Sequence, residues 1–259
     1  MNPDRIKSTL LKALHAAGPL LQASLMDRRI VHTKGELNFV TATDRKAEET
    51  IIQIIHTEFP DHAILAEESL GRGNSPYRWI IDPLDGTTNF AHTFPFACIS
   101  IGYEEQGSVV TGGVFDPFHQ ELFFAQKDQG AFLNDKRIYV SQTPSLSESL
   151  LTTGFAYDRR QKIDEYLLPF KEFMMRVHGI RRTGAAALDL CYVACGRFDG
   201  FWEAKLHPWD VAAGSLIVTE SGGQITDYGG NPYRLDALRT VASNGKIHRE
   251  MIEILKSSG

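Results

Sequence analysis

Two aspartates three positions apart, Asp82 and Asp85, stand in the string Trp79-Ile80-Ile81-Asp82-Pro83-Leu84-Asp85-Gly86-Thr87-Thr88-Asn89-Phe90. Their carboxylates are hard oxygen donors, and the Leu84 carbonyl lies between them. Thr87, Thr88 and Asn89 follow where a helix could begin, and a helix start offers backbone amides to an anion. Together these groups suit a divalent cation that holds a phosphate. The apolar run 79–81 predicts a buried strand that delivers Asp82 at its end. Pro83 has a fixed φ and no N–H for a ladder, so the strand is expected to stop there. Gly86 permits a sharp turn and close approach. Taken alone, Asp-Pro-x-Asp-Gly is also an ordinary strand-end turn.

The bulk composition narrows the function classes. The chain has 259 residues, 42 % of them apolar, enough for a sizeable core in one large domain or two small ones. A net charge of −5 argues against general nucleic-acid or membrane-surface binding. Its three cysteines, Cys98, Cys191 and Cys195, suggest reduced thiols and a cytoplasmic protein. Cys191 and Cys195 lie one helical turn apart with no nearby partner for a zinc site, so they read as small buried residues. No run approaches the ~18 apolar residues of a membrane span, and the N-terminus lacks the order of a signal peptide.

Two further pieces extend the pattern: Glu67-Glu68-Ser69 upstream and Trp209-Asp210-Val211-Ala212-Ala213-Gly214 downstream. With the string at 79–90 they occur in the order found in the inositol monophosphatase family, and the flanks are family-like over nearly the whole chain. The sequence resembles that family of magnesium-dependent, lithium-sensitive phosphatases, close to the bacterial inositol-1-monophosphatases. The resemblance implies a layered α-β-α-β-α sandwich (α+β and α/β in character) of the inositol monophosphatase and fructose-1,6-bisphosphatase type. It also implies that Glu67, Asp82 and the Leu84 carbonyl hold one Mg²⁺, and that Asp82, Asp85 and Asp210 hold a second. Glu67 and Thr87, supported by Asp44, would orient the attacking water. Asp85 and the backbone of Gly86 and Thr87 would meet the phosphate side. Gly184, Ala185, Ala186, Arg182, Glu203 and Asp210 would contact the polyol side; relatives often carry Ser or Thr where Ala185 stands. Glu68 would support from behind.

The implied activity is hydrolysis of inositol monophosphate to inositol and phosphate by metal-activated water, in a homodimer. Alternatives are another small sugar phosphatase, of the fructose-1,6-bisphosphatase or histidinol-phosphatase type, or a regulatory protein that acts through an RNA-processing or transcription partner. Relatives acting on nucleotide bisphosphates often carry a longer insertion in the connector at 70–78, which is short here. For Arg181 and Arg182 three readings stay open: phosphate or sugar contacts, a subunit interface, or a salt bridge.

The remaining elements must position these groups. Asn2, Pro3 and Asp4 look like a helix start, and Ile6, Leu10, Ala13, Leu14, Ala17 and Leu21 follow at helical spacing. Residues 31–38, with Lys34 and Glu36, read as a polar loop before a helix that begins near Asp44. A short strand at 62–66 leads to Glu67. Strands at 97–103, 109–115 and 121–125 form an antiparallel meander, with turns at 106–107, 116–119, 128–130 and 134–135. The Ser/Pro-rich stretch 141–149 divides an N-terminal α+β half, 1–143, from a C-terminal α/β half, 144–259. Beyond it come a strand at 150–153 and a helix at 161–177, kinked or split at Pro169. A strand near 180 and a helix at 188–195 follow. A turn and strand reach Glu203, and a small-residue helix spans 211–220. Strands near 224–227 and 240–242 and a last helix at 246–255 complete the chain. There is no repeat, P-loop or Rossmann glycine fingerprint.

Overall fold

The computed structural model describes residues 2–26, 32–33, 39–40, 42–69 and 71–257. The first helix, α1 (Pro3–Ser24), starts as its sequence demands: Asn2 Oδ1 accepts from the amides of Asp4 at 3.0 Å and Arg5 at 3.4 Å. Its stripe Ile6, Leu10, Ala13, Leu14, Ala17 and Leu21 is buried throughout. The short strands β1 (His32–Thr33) and β2 (Phe39–Val40) pair antiparallel ahead of α2 (Ala42–Glu58). Lys34 and Glu36 lie outside the described residues.

Next come β3 (Ala63–Ala66), β4 (Tyr77–Asp85), the short helix α3 (Thr87–Ala91), β5 (Cys98–Glu105), β6 (Ser108–Asp116), β7 (Glu121–Gln126), β8 (Gly130–Leu133) and β9 (Lys136–Ile138). Their seven strands form one sheet in chain order; β3 and β4 run parallel and every other pair antiparallel. The second half supplies β10 (Leu150–Thr153), α4 (Ile163–Met174), β11 (Gly179–Arg181), α5 (Ala186–Ala194), β12 (Gly200–Ala204), α6 (Pro208–Glu220), β13 (Gln224–Thr226), β14 (Arg239–Ser243) and α7 (His248–Ser257). These five strands form a mixed sheet in the order β11-β10-β12-β14-β13.

The layers follow from which faces are apolar. Helices α1 and α2 cover one face of the larger sheet, and α5 and α6 fill the space between the two sheets. Helices α4 and α7 cover the far side of the smaller sheet with Phe173, Trp202, Val241 and Met251. The result is the expected α-β-α-β-α sandwich. Small residues set the spacings: a β-carbon on Gly113 of β6 would sit 2.8 Å from Leu14 Cδ1. Leu14 is fully buried at that contact. Leu14→Ala is expected to cost about 2–5 kcal/mol, read from urea unfolding.

Three expectations need correcting. Pro83 does not end its strand. β4 continues to Asp85, the register shifts between Asp82 and Asp85, and pairing resumes at Asp85↔Cys98. The proline falls where the ladder is interrupted, so its missing N–H costs no hydrogen bond. The meander also gains β8 and β9, too short to show a period. Helix α4 is one piece, shorter than expected, with Pro169 inside it and buried beside Tyr166 and Phe173. Among the described residues no helix is long and apolar enough to cross a membrane.

Candidate active site

The parallel pairing of β3 with β4 brings the first two carboxylates together. Ala66 lies opposite Ile81, and the Glu67 amide donates to the Ile81 carbonyl at 3.2 Å, so Glu67 and Asp82 leave neighbouring strand ends side by side. Asp82 Oδ1 accepts from the Leu84 amide at 3.0 Å, which folds the bulge back on itself. Thr87 Oγ1 lies 2.9 Å from the Leu84 carbonyl and 3.3 Å from Asp44 Oδ1. With a single hydroxyl proton it can donate to only one of them at a time. Asp44 itself is buried behind Thr87.

Gly86 makes this turn possible. Its φ is +94°, and a β-carbon there would stand 2.9 Å from the Phe96 carbonyl oxygen and 3.2 Å from Ala97 Cα. Both obstacles are backbone, which cannot swing away. Gly86→Ala is expected to lower stability by about 1–3 kcal/mol and to displace the Asp85–Thr87 turn; thermal melting and near-ultraviolet circular dichroism check it.

The other half of the chain closes the site. Asp85 Oδ2 accepts from the Ala187 amide at 2.7 Å in the first turn of α5, and the Cys98 thiol lies 3.8 Å from the same oxygen. Asn89 Nδ2 donates to the carbonyls of Phe96 and Thr183, each at 2.8 Å. Asp210 sits in the first turn of α6 and accepts from the His207 amide at 2.7 Å. These elements surround a cavity of about 570 Å³ lined by Glu67, Asp82, Leu84, Asp85, Gly86, Thr87, Arg182, Gly184, Ala186, Glu203 and Asp210. Ala185, between two lining residues, is buried and packs into the core with α5 and α6. Arg182 lines the cavity, whereas its neighbour Arg181 does not.

Sequence reasoning missed several wall residues: Gly154, Tyr157, Arg159, Lys205, His207 and Trp209. Tyr157 and Arg159 belong to the loop after β10, whose only clue is that it follows a strand's carboxyl end. Lys205 has φ +65° and is tied to Asp158 and Glu165. His207 stacks on Trp209 with ring centroids 4.6 Å apart.

Burial and mutual repulsion dominate the electrostatics. Burial raises the Asp82 pKa well above the ordinary carboxylate range, and the charges of Glu67, Asp85 and Asp210 add to it. Burial and then Asp210 push Asp85 up to about 7, against the opposing α5 amides. Burial also carries Asp210 to about 7, against the His207 amide. Glu203 is raised by burial and by Asp189 and Asp210. Among the described residues, no ion pair neutralises Asp82, Asp85 or Asp210. No three acidic, histidine or cysteine side chains among those residues close into a ready-made cage. The donor set is nonetheless all oxygen, and its excess negative charge is what a hard dication would offset, so the residues present fit such an ion. The candidates to hold it are Glu67, Asp82, the Leu84 carbonyl, Asp85 and Asp210.

Comparison with known proteins bears on the family and the fold. The model of the inositol monophosphatase family matches residues 2–259. An inositol-1-monophosphatase of Synechocystis is 50 % identical over 223 residues, covering 85 % of this chain and 78 % of that protein. The Nus factor SuhB of Pseudomonas aeruginosa is 41 % identical, covering 95 % of this chain and 94 % of that protein. The solved inositol monophosphatase of Anabaena (Nostoc) superposes with a TM-score of 0.91 at 43 % identity, covering 100 % of this chain and 98 % of that one. A family match over essentially the whole chain, with the same fold, makes this protein a member of the inositol monophosphatase family, a family of metal-dependent phosphatases.

Proposed function

We propose that the protein hydrolyses the phosphate monoester of a small polyol, inositol monophosphate first among them, with Mg²⁺ as cofactor. The supporting observation is the convergence of Glu67, Asp82, Asp85 and Asp210, remote in sequence, on one cavity that also holds Thr87 and the backbone of Gly86. Bound Mg²⁺ would supply charge neutralisation at the phosphate oxygens and a lowered pKa for water. The chain's own groups do the rest by positioning, which is most of what phosphoryl transfer needs. Glu67 and the Thr87 hydroxyl orient the attacking water, and Asp44 behind Thr87 competes with the Leu84 carbonyl for its proton. Backbone amides of Gly86 and Thr87 take the phosphate. Arg182, Glu203 and Asp210 face the polyol, and Glu203 accepts from one of its hydroxyls. Phosphate release from inositol 1-phosphate, with and without Mg²⁺, tests the reading. Absence of Mg²⁺-dependent release from that substrate and from a panel of sugar phosphates would end it.

One observation favours a second reading. Relatives 37–41 % identical carry the name Nus factor SuhB, including two from Neisseria meningitidis that are putative and 40 % identical over 99 % of this chain. A transcription partner is therefore the alternative role. A cellular phenotype that survives loss of phosphatase activity would belong to that role.

A further inference from the structure

The smaller sheet places Glu203 in a strand whose side chains alternate between two environments. Phe201 joins the core between the sheets and Trp202 joins the outer one, so Glu203 returns to the inner side and lines the cavity. Its carboxyl group accepts no hydrogen bond from the described residues; its neighbours there are the acidic Asp189 and Asp210 and, opposing them, Arg182. Among the described residues, then, no hydrogen bond fixes where that carboxylate sits.

What fixes it is shape. β10 and β12 run parallel with Thr153 opposite Trp202, which brings the next residue, Gly154, against Glu203. A β-carbon on Gly154 would overlap Glu203 Cδ, Oε1 and Oε2 together. Gly154 is not among the glycines of positive φ, so its backbone would accept any residue. The three atoms such a β-carbon would meet first all belong to that carboxylate. We propose that Gly154 is a specificity-determining positioning residue: its bare α-carbon is the seat that sets the depth of Glu203, and thereby which hydroxyl-bearing substrates the cavity accepts. The proposal rests on the reading above, in which Glu203 takes a substrate hydroxyl.

The test is a double-mutant cycle on the Mg²⁺-loaded protein with Gly154→Ala and Glu203→Ala. It reads the ratio of kcat/KM for inositol 1-phosphate to that for p-nitrophenyl phosphate, which has no hydroxyl to offer, together with the melting temperature. Glu203→Ala alone tests the underlying reading and should lower the ratio about tenfold or more, as expected for losing a hydrogen bond to a charged group. Gly154→Ala should lower it about tenfold in the presence of Glu203, and should change neither the ratio nor the melting temperature in the Glu203→Ala background. If Gly154→Ala alone does not fold, the double variant must, because the obstructing carboxylate is gone. An unchanged ratio for Gly154→Ala, or equal damage in both backgrounds, overturns the proposal. If Glu203→Ala leaves the ratio intact, the hydroxyl reading fails. Coupling in melting temperature then still decides whether Gly154 seats that side chain.

Discussion

Asp82→Asn is expected to cut Mg²⁺-dependent phosphate release by about a thousandfold or more, since each lost ~1.4 kcal/mol of transition-state stabilisation is a factor of ten. The same substitution is expected to raise the melting temperature of the metal-free protein. Asp82 is 1 % exposed and faces the charges of Glu67, Asp85 and Asp210. Asparagine is nearly isosteric, keeps an oxygen for the Leu84 amide, and removes a buried charge that its neighbours oppose. The opposite signs carry the test, because a substitution that merely damaged the fold would depress both quantities. Kinetics with saturating Mg²⁺ and a melt in chelator measure them; a joint loss counts against Asp82 as a cation ligand. Retention of a transcription-linked phenotype in the same variant would favour the second reading.

The pH dependence of cation binding gives the second large effect. Asp85 and Asp210 each titrate near 7 in the folded metal-free protein, against an ordinary 3.8. The folded state thus holds protons that the unfolded chain has released, and the contribution of these two groups to stability falls as pH rises from about 4 to about 7. His248 acts in the opposite sense over nearly the same window. Burial between Thr226 and Ser243 lowers its pKa to about 4, so its neutral form favours folding as pH rises from 4 to 6.5. A melt in chelator alone would mix the two. The increment in melting temperature produced by Mg²⁺ isolates the carboxylates, because His248 contributes equally with and without the ion. That increment is expected to be small at pH 5 and to grow through pH 7, with Asp82, also raised by burial and its acidic neighbours, extending the rise. Binding at pH 6 is expected to release about one to two protons, seen by calorimetry in buffers of different ionisation enthalpy. An increment that stays flat from pH 5 to 8 would exclude Asp85 and Asp210 as ligands.

The parts legible from sequence share one property: their signal is local. The cap at Asn2, the spacing of Ile6 to Leu21 and the three strands of the meander between their turns are all stated within a few residues, and the structure repeats them. So is the order of carboxylates and hydroxyls from Asp82 to Thr87. What escaped depends on neighbours far along the chain. Pro83 stays in its strand because β5 tolerates a bulge opposite it. Gly154 and Lys205 line the cavity just past the ends of the parallel strands β10 and β12, a placement set by the pairing of distant segments. Ala185 is implied at the site by the family resemblance, together with Gly184 and Ala186. Its extended backbone, with φ −142° and ψ 101°, instead points the methyl group into the core.

The hydrogen bonds from Ala187 to Asp85 and from Asn89 to Thr183 join positions 102 and 94 residues apart. On the reading proposed above, a dication shared by Asp82, Asp85 and Asp210 is a third tie between the same remote segments. An ion held only by the folded chain stabilises it by mass action, in proportion to the logarithm of its concentration over its dissociation constant. On that reading the ion would also rivet β4 to α6, and mechanical cohesion and turnover would draw on the same few oxygens.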